Sequence, residues 1–358
     1  MSMTYLTQLS CLREINLSDC ALLSSDGVQG LLKANRRLEA LLLSDANRYH
    51  DDEEIPDTLI DDGLLKCIGM HCPRLTKLHL RLDSEADYLD LTTESFEAMI
   101  KGLPVLENVR ISDYNCPNTI LPMLGLYCPR LKSVYIDNIA CCDDDLISMS
   151  RGCPYIEALC LHYLDRITSL SMYAIATNCL MLKQLTICSV DGPISDDSMC
   201  MLFTHCIHLS SVELHDSPLI TNKTILTLLK CCPHLSDLTL ISCPRLTDYC
   251  ILSIPVYCPF IQSLDLWYFR HLSNETIVQI SRYCKHIHTM ILQGCNKINN
   301  NAVTKILKNC KKLTYINIHS SALHITDTFK VQCDEIAAKR RYRTLHLTYS
   351  KQSIHSIR

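Results

Sequence analysis

Cysteine is the residue type that could most readily do chemistry in this sequence, because the 358-residue chain contains 23 of them. Thiolates bind zinc when they come in pairs three residues apart, and they act as nucleophiles in accessible, electropositive sites. No two cysteines here are three apart, and the adjacent pairs Cys141-Cys142 and Cys231-Cys232 do not replace that spacing. We therefore predict buried, structural cysteines and no bound metal.

Other spacings that indicate catalysis are also missing. His205 and His208 have the spacing of one helix face, but no further ligand lies near them in sequence, so we interpret them as a partly exposed pair. Nine glycines supply neither a Gly-x-x-x-x-Gly-Lys loop nor a Gly-x-Gly-x-x-Gly turn, and no Gly-x-Ser-x-Gly elbow occurs. The sequence predicts a protein that is not an enzyme and needs no cofactor.

Composition describes a folded chain that binds no nucleic acid or membrane through overall charge. Hydrophobic residues make up 47% and charged residues 20%, and the net charge is −4. The first thirty residues mix charges with leucines, and no apolar run has the length of a membrane span. Many free thiols indicate a reducing compartment, so we expect a cytoplasmic protein, with the nucleus also open. The basic cluster at 339–343 suits nuclear import, phosphate binding or a solubilised terminal repeat.

A repeat explains where the cysteines fall. The unit Cys-Pro-x-Leu-x-x-Leu-x-Leu begins at Cys72 and again at Cys128, and from Cys128 to Cys310 its cysteines follow at intervals of 25, 26, 27, 26, 26, 26 and 26 residues. We predict about twelve repeats from residue 9 to 338, forming one solenoid over 1–358. Acidic residues interrupt the second repeat at 45–62, a lesser insertion covers 83–93, and a terminal strand at 342–348 precedes a basic tail.

Each repeat predicts one strand and one short helix. Leu-x-Leu steps such as Leu238 and Leu240 have the period of a strand with one buried face. Polar pairs such as Thr247-Asp248 then suit a helix N-cap, and Ile225, Leu228 and Leu229 give the spacing of a helix face. One repeat buries too little apolar surface to fold alone, so neighbours must stack. The predicted fold class is α/β, a leucine-rich-repeat horseshoe with parallel strands on the concave face and short helices on the convex face.

This pattern resembles the cysteine-containing leucine-rich repeats of F-box/LRR proteins over about residues 9 to 348. The family's second ladder position is also cysteine at Cys20, Cys243 and Cys295. The resemblance implies a protein-binding repeat that recognises substrates for an SCF-type cullin ubiquitin ligase, with a Skp-type adaptor as a further partner. The first repeat begins within ten residues of Met1, so we expect no F-box before it. A repeat scaffold or regulator acting by binding alone is the alternative.

The expected binding residues are the strand side chains that alternate with the buried leucines. They are Lys77, His79, Arg81 and Arg110 near the N-terminus, Tyr135, Asp137, His162, Glu213 and His215 in the middle, and Asp237, Asp265, Trp267, Tyr315, Asn317 and His319 near the C-terminus. Their charge runs from basic to acidic, which would orient a partner of opposite polarity. Trp267 is the only tryptophan and suits a binding anchor, although it and the following Tyr268 and Phe269 could instead pack over the bend after the strand. A small ligand bound near Lys77, Arg81 and Arg110 is a third hypothesis.

Overall fold

The structure is a computed structural model, in which contacts divide the chain into two compact units. Unit 1 comprises residues 1–182 with 190–192, and unit 2 comprises residues 183–189 with 193–358. The residues that the structure describes are 10–18, 20, 23–44, 59–82, 91–112, 116–164, 166–189, 192–319, 345–350 and 353–357, together with 329, 331, 333, 335 and 336. Most of both predicted insertions and the whole basic cluster at 339–343 lie outside these residues. The prediction of one solenoid over 1–358 stays a prediction.

In unit 1, strands and helices alternate along the described chain. The strands are β1 (Glu14–Leu17), β2 (Ala40–Ser44), β3 (Lys77–Arg81), β4 (Asn108–Ser112), β5 (Ser133–Asp137) and β6 (Ala158–His162). The helices are α1 (Ser25–Ala34), α2 (Asp62–His71), α3 (Thr93–Lys101), α4 (Ile120–Tyr127), α5 (Asp143–Gly152) and α6 (Ser169–Asn178). Each strand pairs in parallel with the next one along the chain.

Unit 2 repeats this arrangement and ends in a hairpin. Its strands are β7 (Gln184–Cys188), β8 (Ser211–His215), β9 (Asp237–Ile241), β10 (Ser263–Asp265), β11 (Thr289–Ile291), β12 (Tyr315–Asn317), β13 (Leu345–Ser350) and β14 (Ser353–Ile357). Its helices are α7 (Asp196–His205), α8 (Asn222–Cys231), α9 (Asp248–Ile251), α10 (Ile254–Tyr257), α11 (Asn274–Tyr283) and α12 (Asn300–Asn309). β7 to β13 pair in parallel, whereas β14 pairs antiparallel with β13.

The apolar positions of the repeat form the core as predicted. Leu238 and Leu240 of β9 are fully buried, and so are Ile225, Leu228 and Leu229 of α8. Strand register places Leu238 between Val212 of β8 and Leu264 of β10, so equivalent side chains of neighbouring repeats stack in a continuous layer. The α/β leucine-rich-repeat fold, with parallel strands and short helices, is confirmed.

In most described repeats the repeated cysteine follows the helix and ties it to the repeat before, whereas α1 and α3 are followed by Asn35 and Gly102. Cys232 follows α8, is fully buried, and donates weak hydrogen bonds to the carbonyl oxygens of Cys206 at 3.6 Å and Phe203 at 3.9 Å. Cys258 makes the equivalent contacts with Cys232 and Leu229, both at 3.5 Å. Burial raises the pKa of the Cys232 thiol to about 12, which keeps it protonated and able to donate.

The two residues of the polar pair at the start of the helix have different roles. The sequence predicted that both would cap the helix N-terminus. Ser195 caps α7 by accepting from the Ser198 amide, as expected. The following residue, Asp196, instead accepts from the amide of Thr221 at 2.8 Å and from its hydroxyl at 2.6 Å, one repeat later. The second residue therefore ties successive repeats together. Local sequence does not reveal this role, because its partner lies 25 residues away.

Two further details correct the sequence reading. α7 ends at His205, so His208 lies in the turn beyond it and the two histidines do not share a helix face. The helix expected after Thr247-Asp248 is divided into α9 and α10, and Pro255 lies in the first turn of α10. Among the described residues, no helix is long and apolar enough to cross a membrane.

Candidate functional site

In both units the strand side chains that point away from the core form a surface that we call the open strand face. Every predicted binding residue is partly or fully exposed there, next to buried neighbours in the same strand segment. Register sorts them into three positions along the strands. The first holds Lys77, Asp237 and Tyr315; the second holds His79, Arg110, Tyr135, Glu213, Asp265 and Asn317; the third, at or just past the strand ends, holds Arg81, Asp137, His162, His215, Trp267 and His319.

A ring cluster occupies the open strand face of unit 1. The guanidinium carbon of Arg110 lies 3.9 Å from the ring centroid of Tyr135, a close cation–π contact. The Tyr135 ring also packs against His162 at a centroid distance of 5.1 Å, and its hydroxyl donates to Asp137 at 3.3 Å. Burial and the Asp137 charge raise the pKa of Tyr135 to about 12, so the hydroxyl stays a donor. Arg110 therefore packs on a ring that His162 and Asp137 also contact.

The same part of unit 1 is positively charged. Arg81 and Arg110 are exposed and Lys77 is half-buried. Within 4 Å, none of the three has a carboxylate partner among the described residues. His79 lies between them in the strands; burial lowers its pKa first, and the charges of Lys77 and Arg110 lower it further. Burial and, to a lesser extent, the neighbouring cations therefore favour the neutral form of His79.

An open cavity of about 430 Å³ adjoins these cations. Arg81, Arg110 and His79 line it together with hydroxyl-bearing residues, and Asp137 is the carboxylate among its described lining residues. Ser44, Arg81 and Ser112 lie side by side in the register of β2, β3 and β4. Guanidinium and hydroxyl donors on one wall suit a ligand rich in hydrogen-bond acceptors.

The open strand face of unit 2 is acidic. Glu213 and Asp265 lie on either side of Thr239 in the register of β8, β9 and β10. The Thr186 hydroxyl donates to Glu213 at 3.3 Å, and the Trp267 amide donates to Asp265 at 3.0 Å. Burial first, and then the Glu213 charge, raise the pKa of Asp265 to about 6, even though the Trp267 amide opposes the shift. A cationic group from a partner would relieve this crowding of negative charge.

The three aromatic residues after β10 divide between the two predicted roles. Phe269 is buried and packs into the bend, whereas Tyr268 is about half exposed. Trp267 is partly buried and stacks on Tyr268, with ring centroids 5.6 Å apart. The buried indole Nε1 of Trp267 has no hydrogen-bond partner among the described residues. Trp267 therefore has both a structural contact and an unused donor.

Sequence reasoning missed several residues of this face because their types are small or neutral. Cys188 lies beside His215, with its Sγ 3.3 Å from the imidazole Nδ1, and Gln293 accepts from the Asn317 side chain at 3.0 Å. Thr239 separates the two carboxylates of unit 2. The regular 26-residue spacing could have located all three, since each lies one repeat from a predicted residue.

The open strand face ends at a residue with a left-handed backbone. Six ordinary residues have φ between 48° and 57°, namely Asn138, Tyr163, Ser189, Asp216, Ser242 and Tyr268, and Gly294 has φ 71°. Each follows the last outward side chain of its repeat, and reverses the chain toward the next helix. At Gly294 a Cβ would also lie 2.5 Å from the Tyr268 ring, so this position requires glycine.

The described residues contain no group of three or more His, Cys, Asp or Glu side chains placed to hold a metal ion. Burial raises the pKa of repeat cysteines such as Cys153 and Cys206 to about 12. Thiols with such values carry almost no thiolate near pH 7 and are poor nucleophiles. What the open strand face offers is shape, charge and hydrogen-bonding groups for another molecule.

Comparison with known proteins supports the fold. No protein-family model matches the chain. Among solved structures, the chain is similar to a chain in the crystal structure of the Rad7 and Elc1 complex in yeast, with a TM-score of 0.59 and 17% sequence identity. The match covers 97% of this chain and 88% of that one. At this identity the likeness shows a shared architecture, that of a leucine-rich-repeat solenoid.

Proposed function

We propose that this chain binds another protein on its open strand face and acts by binding rather than by catalysis. The observation that carries the proposal is the arrangement of rings and charges on this face. The core is formed by the inward positions of each strand. The outward positions nevertheless hold Arg110 packed on Tyr135 in unit 1 and Trp267 stacked on Tyr268 in unit 2. Aromatic and arginine side chains that are held in place are typical anchors of protein interfaces.

An unsatisfied donor supports the same proposal. A buried N–H without an acceptor costs about 1–3 kcal/mol, so proteins seldom leave one unpaired. The indole N–H of Trp267 has no acceptor among the described residues, and it lies on the face where a partner would dock. Because this atom is buried in the unbound chain, a partner would supply the missing acceptor only by turning the Trp267 ring outward as it docks.

We further propose that the partner is a substrate presented to an SCF-type cullin ubiquitin ligase through a Skp-type adaptor, in the cytoplasm or nucleus. Two observations support this more specific role. The repeat resembles that of F-box/LRR proteins, and the similar structure contains Rad7 in a complex with Elc1. The alternative is a repeat scaffold or regulator that binds its partner without an adaptor or cullin.

Affinity purification of the full chain from its own cells, followed by mass spectrometry, tests the proposal when two variants are included. Thr239→Arg places a long cation on the open strand face of unit 2, between Glu213 and Asp265, whose charges compensate it. Thr204→Arg makes the same change on the exposed surface of α7. We expect Thr239→Arg to reduce capture of specific partners by at least about tenfold, or about 1.4 kcal/mol, and Thr204→Arg to leave capture unchanged.

The proteins recovered decide between the two roles. A Skp-type adaptor and a cullin among the proteins bound to wild type would support the ligase role. Specific partners that are lost in Thr239→Arg, without adaptor or cullin, would support the scaffold. Equal capture by wild type and both variants, with matching thermal melts, would show that the open strand face of unit 2 does not bind the partner.

A further inference from the structure

The cations of unit 1 form a compact group on neighbouring strands. Lys77 and Arg81 belong to β3 and Arg110 belongs to β4, and register places His79 directly beside Arg110. Adjacent parallel strands lie about 4.8 Å apart, so these side chains project from one small area. Asp137 is the carboxylate that lines the adjoining cavity, and it already accepts from the Tyr135 hydroxyl. Among the described residues, positive charge therefore outweighs negative charge in this area.

Arg110 is positioned in advance for a planar anion. Its guanidinium lies over the Tyr135 ring at 3.9 Å, and Tyr135 is itself fixed by His162 and Asp137. Stacking engages the flat face of a guanidinium and leaves its edge N–H groups able to donate to two oxygens of a carboxylate. Fixing the side chain beforehand lowers the entropy lost on binding.

Arg81 supplies a second cation one register position further along the strands. Its side chain is exposed, and its strand neighbours Ser44 and Ser112 contribute short polar side chains to the same cavity. The cavity of about 430 Å³ has room for an acidic side chain and part of the segment that carries it. Two guanidinium groups beside one cavity suit two carboxylates on one extended segment.

We propose that the open strand face of unit 1 binds an acidic segment of the partner protein, in which Arg110 and Arg81 each pair with an aspartate or glutamate. This inference rests on the proposed protein-binding function and specifies the chemistry of one part of the partner. A peptide suits the site better than a nucleic acid. The three cations and one carboxylate described there neutralise few phosphates, and the whole chain carries a net charge of −4.

Fluorescence anisotropy with the full chain and a labelled peptide tests the proposal. The probe is a glutamate-rich peptide of about ten residues, and its control replaces every glutamate with glutamine; low salt, about 50 mM, limits screening. We expect the glutamate peptide to bind and the glutamine peptide to bind at least about tenfold more weakly. The double variant Arg81→Gln/Arg110→Gln should lose a similar factor.

A second double variant controls for net charge. Arg74 and Arg130 are exposed arginines in turns of the same unit, so Arg74→Gln/Arg130→Gln removes the same charge at another place. We expect this control to bind the glutamate peptide within about twofold of wild type, because it keeps the stacked Arg110 and the cavity. Equal losses in the two double variants would show that binding follows overall charge, and the proposal would be wrong.

A nucleic acid or an acidic segment of the chain itself could occupy the same site, and each would give a different binding result. An oligothymidylate of similar charge that outcompetes the peptide would identify a nucleic-acid site and overturn the proposal. The chain also has its own acidic residues in segment 45–58, including Asp51, Asp52 and Glu53. Peptide binding seen only after deletion of 45–58 would identify that segment as the occupant. A negative peptide result would not by itself contradict the proposed protein-binding function. That function is tested separately, by the effect of Thr239→Arg in unit 2 on partner capture.

Discussion

At the scale of single residues, the repeated cysteine acts as a hydrogen-bond donor within an apolar core. The Sγ of Cys232 contacts two carbonyl oxygens of the preceding repeat and has no exposed surface. A thiol suits this position because it packs like a small apolar group and still donates weakly to backbone carbonyls at the end of the preceding helix. The sequence indicated burial of these cysteines, and the structure adds the acceptors.

Cys232→Ala should lower the free energy of unfolding by about 1–2 kcal/mol, because it removes buried volume and leaves two carbonyl oxygens without this donor. Cys231 is a matched control, since it is the adjacent residue but is only partly buried. Cys231→Ala should change the free energy by less than about 0.5 kcal/mol. Urea titration of both variants measures the difference, and equal effects would contradict the assigned role of Cys232.

At the scale of helices and strands, acidic residues in the first turn of a helix join consecutive repeats. Asp143 accepts from the Thr168 amide at 2.9 Å, and Asp196 makes the equivalent contact with Thr221 at 2.8 Å. Burial alone would raise the pKa of Asp196, but hydrogen bonds from Thr221 and Thr224 outweigh it and hold the pKa below its usual value. The charged carboxylate is therefore favoured in the folded state.

Asp196→Asn should destabilise unit 2 by about 1–3 kcal/mol at pH 7, because an amide accepts fewer and weaker hydrogen bonds than a carboxylate. The depressed pKa means that the stabilisation is fully present above the unfolded value of 3.8 and is lost as the pH falls through the folded value. The difference between wild type and variant should therefore shrink below about pH 4. Denaturant titrations between neutral and acidic pH measure it.

Asp197 provides the control for that experiment. It is the next residue in α7, is largely exposed, and pairs with Lys223 at 2.6 Å on the surface. Exposed pairs contribute about 0–1 kcal/mol, so Asp197→Asn should have a small effect. A loss as large as that of Asp196→Asn would indicate that charge near the helix start, rather than the link between repeats, stabilises the structure.

At the scale of the whole molecule, each repeat gains its stability from its neighbours. Strands pair with adjacent strands, and buried residues such as Leu240 of β9 stack between Leu214 of β8 and the next repeat. In such an arrangement, damage to one repeat weakens mainly the repeats that contact it. Within unit 2 this behaviour can be measured strand by strand.

Leu240→Ala should cost about 2–5 kcal/mol locally, because it leaves a cavity between repeats. In hydrogen exchange followed by mass spectrometry, peptides covering β8, β9 and β10 should exchange faster, and β12 should change much less. Thr239→Ala, on the open strand face beside Leu240, should leave exchange nearly unchanged. A uniform increase across unit 2 would instead show that the unit opens as one cooperative body.

Periodicity in the sequence determined the repeat unit, the buried leucines and cysteines, and the side of each strand that the predicted binding residues occupy. Buried side chains must recur with the period of their element, so Leu238 and Leu240 could be assigned without coordinates. The same alternation placed Arg110, Tyr135, Glu213 and Asp265 on the outward side. Only their role in binding stays a prediction.

Only the tertiary structure decided which of these residues act together. Asp196 and Thr221 are 25 residues apart, and Arg110 and Tyr135 likewise, so their contacts depend on the register between neighbouring strands and helices. The bend after β10 also decided how far three consecutive rings are exposed: Trp267 is half-buried, Tyr268 is exposed and Phe269 is buried. A sequence pattern reports which side of an element is buried, but distances across repeats arise only when the repeats are stacked.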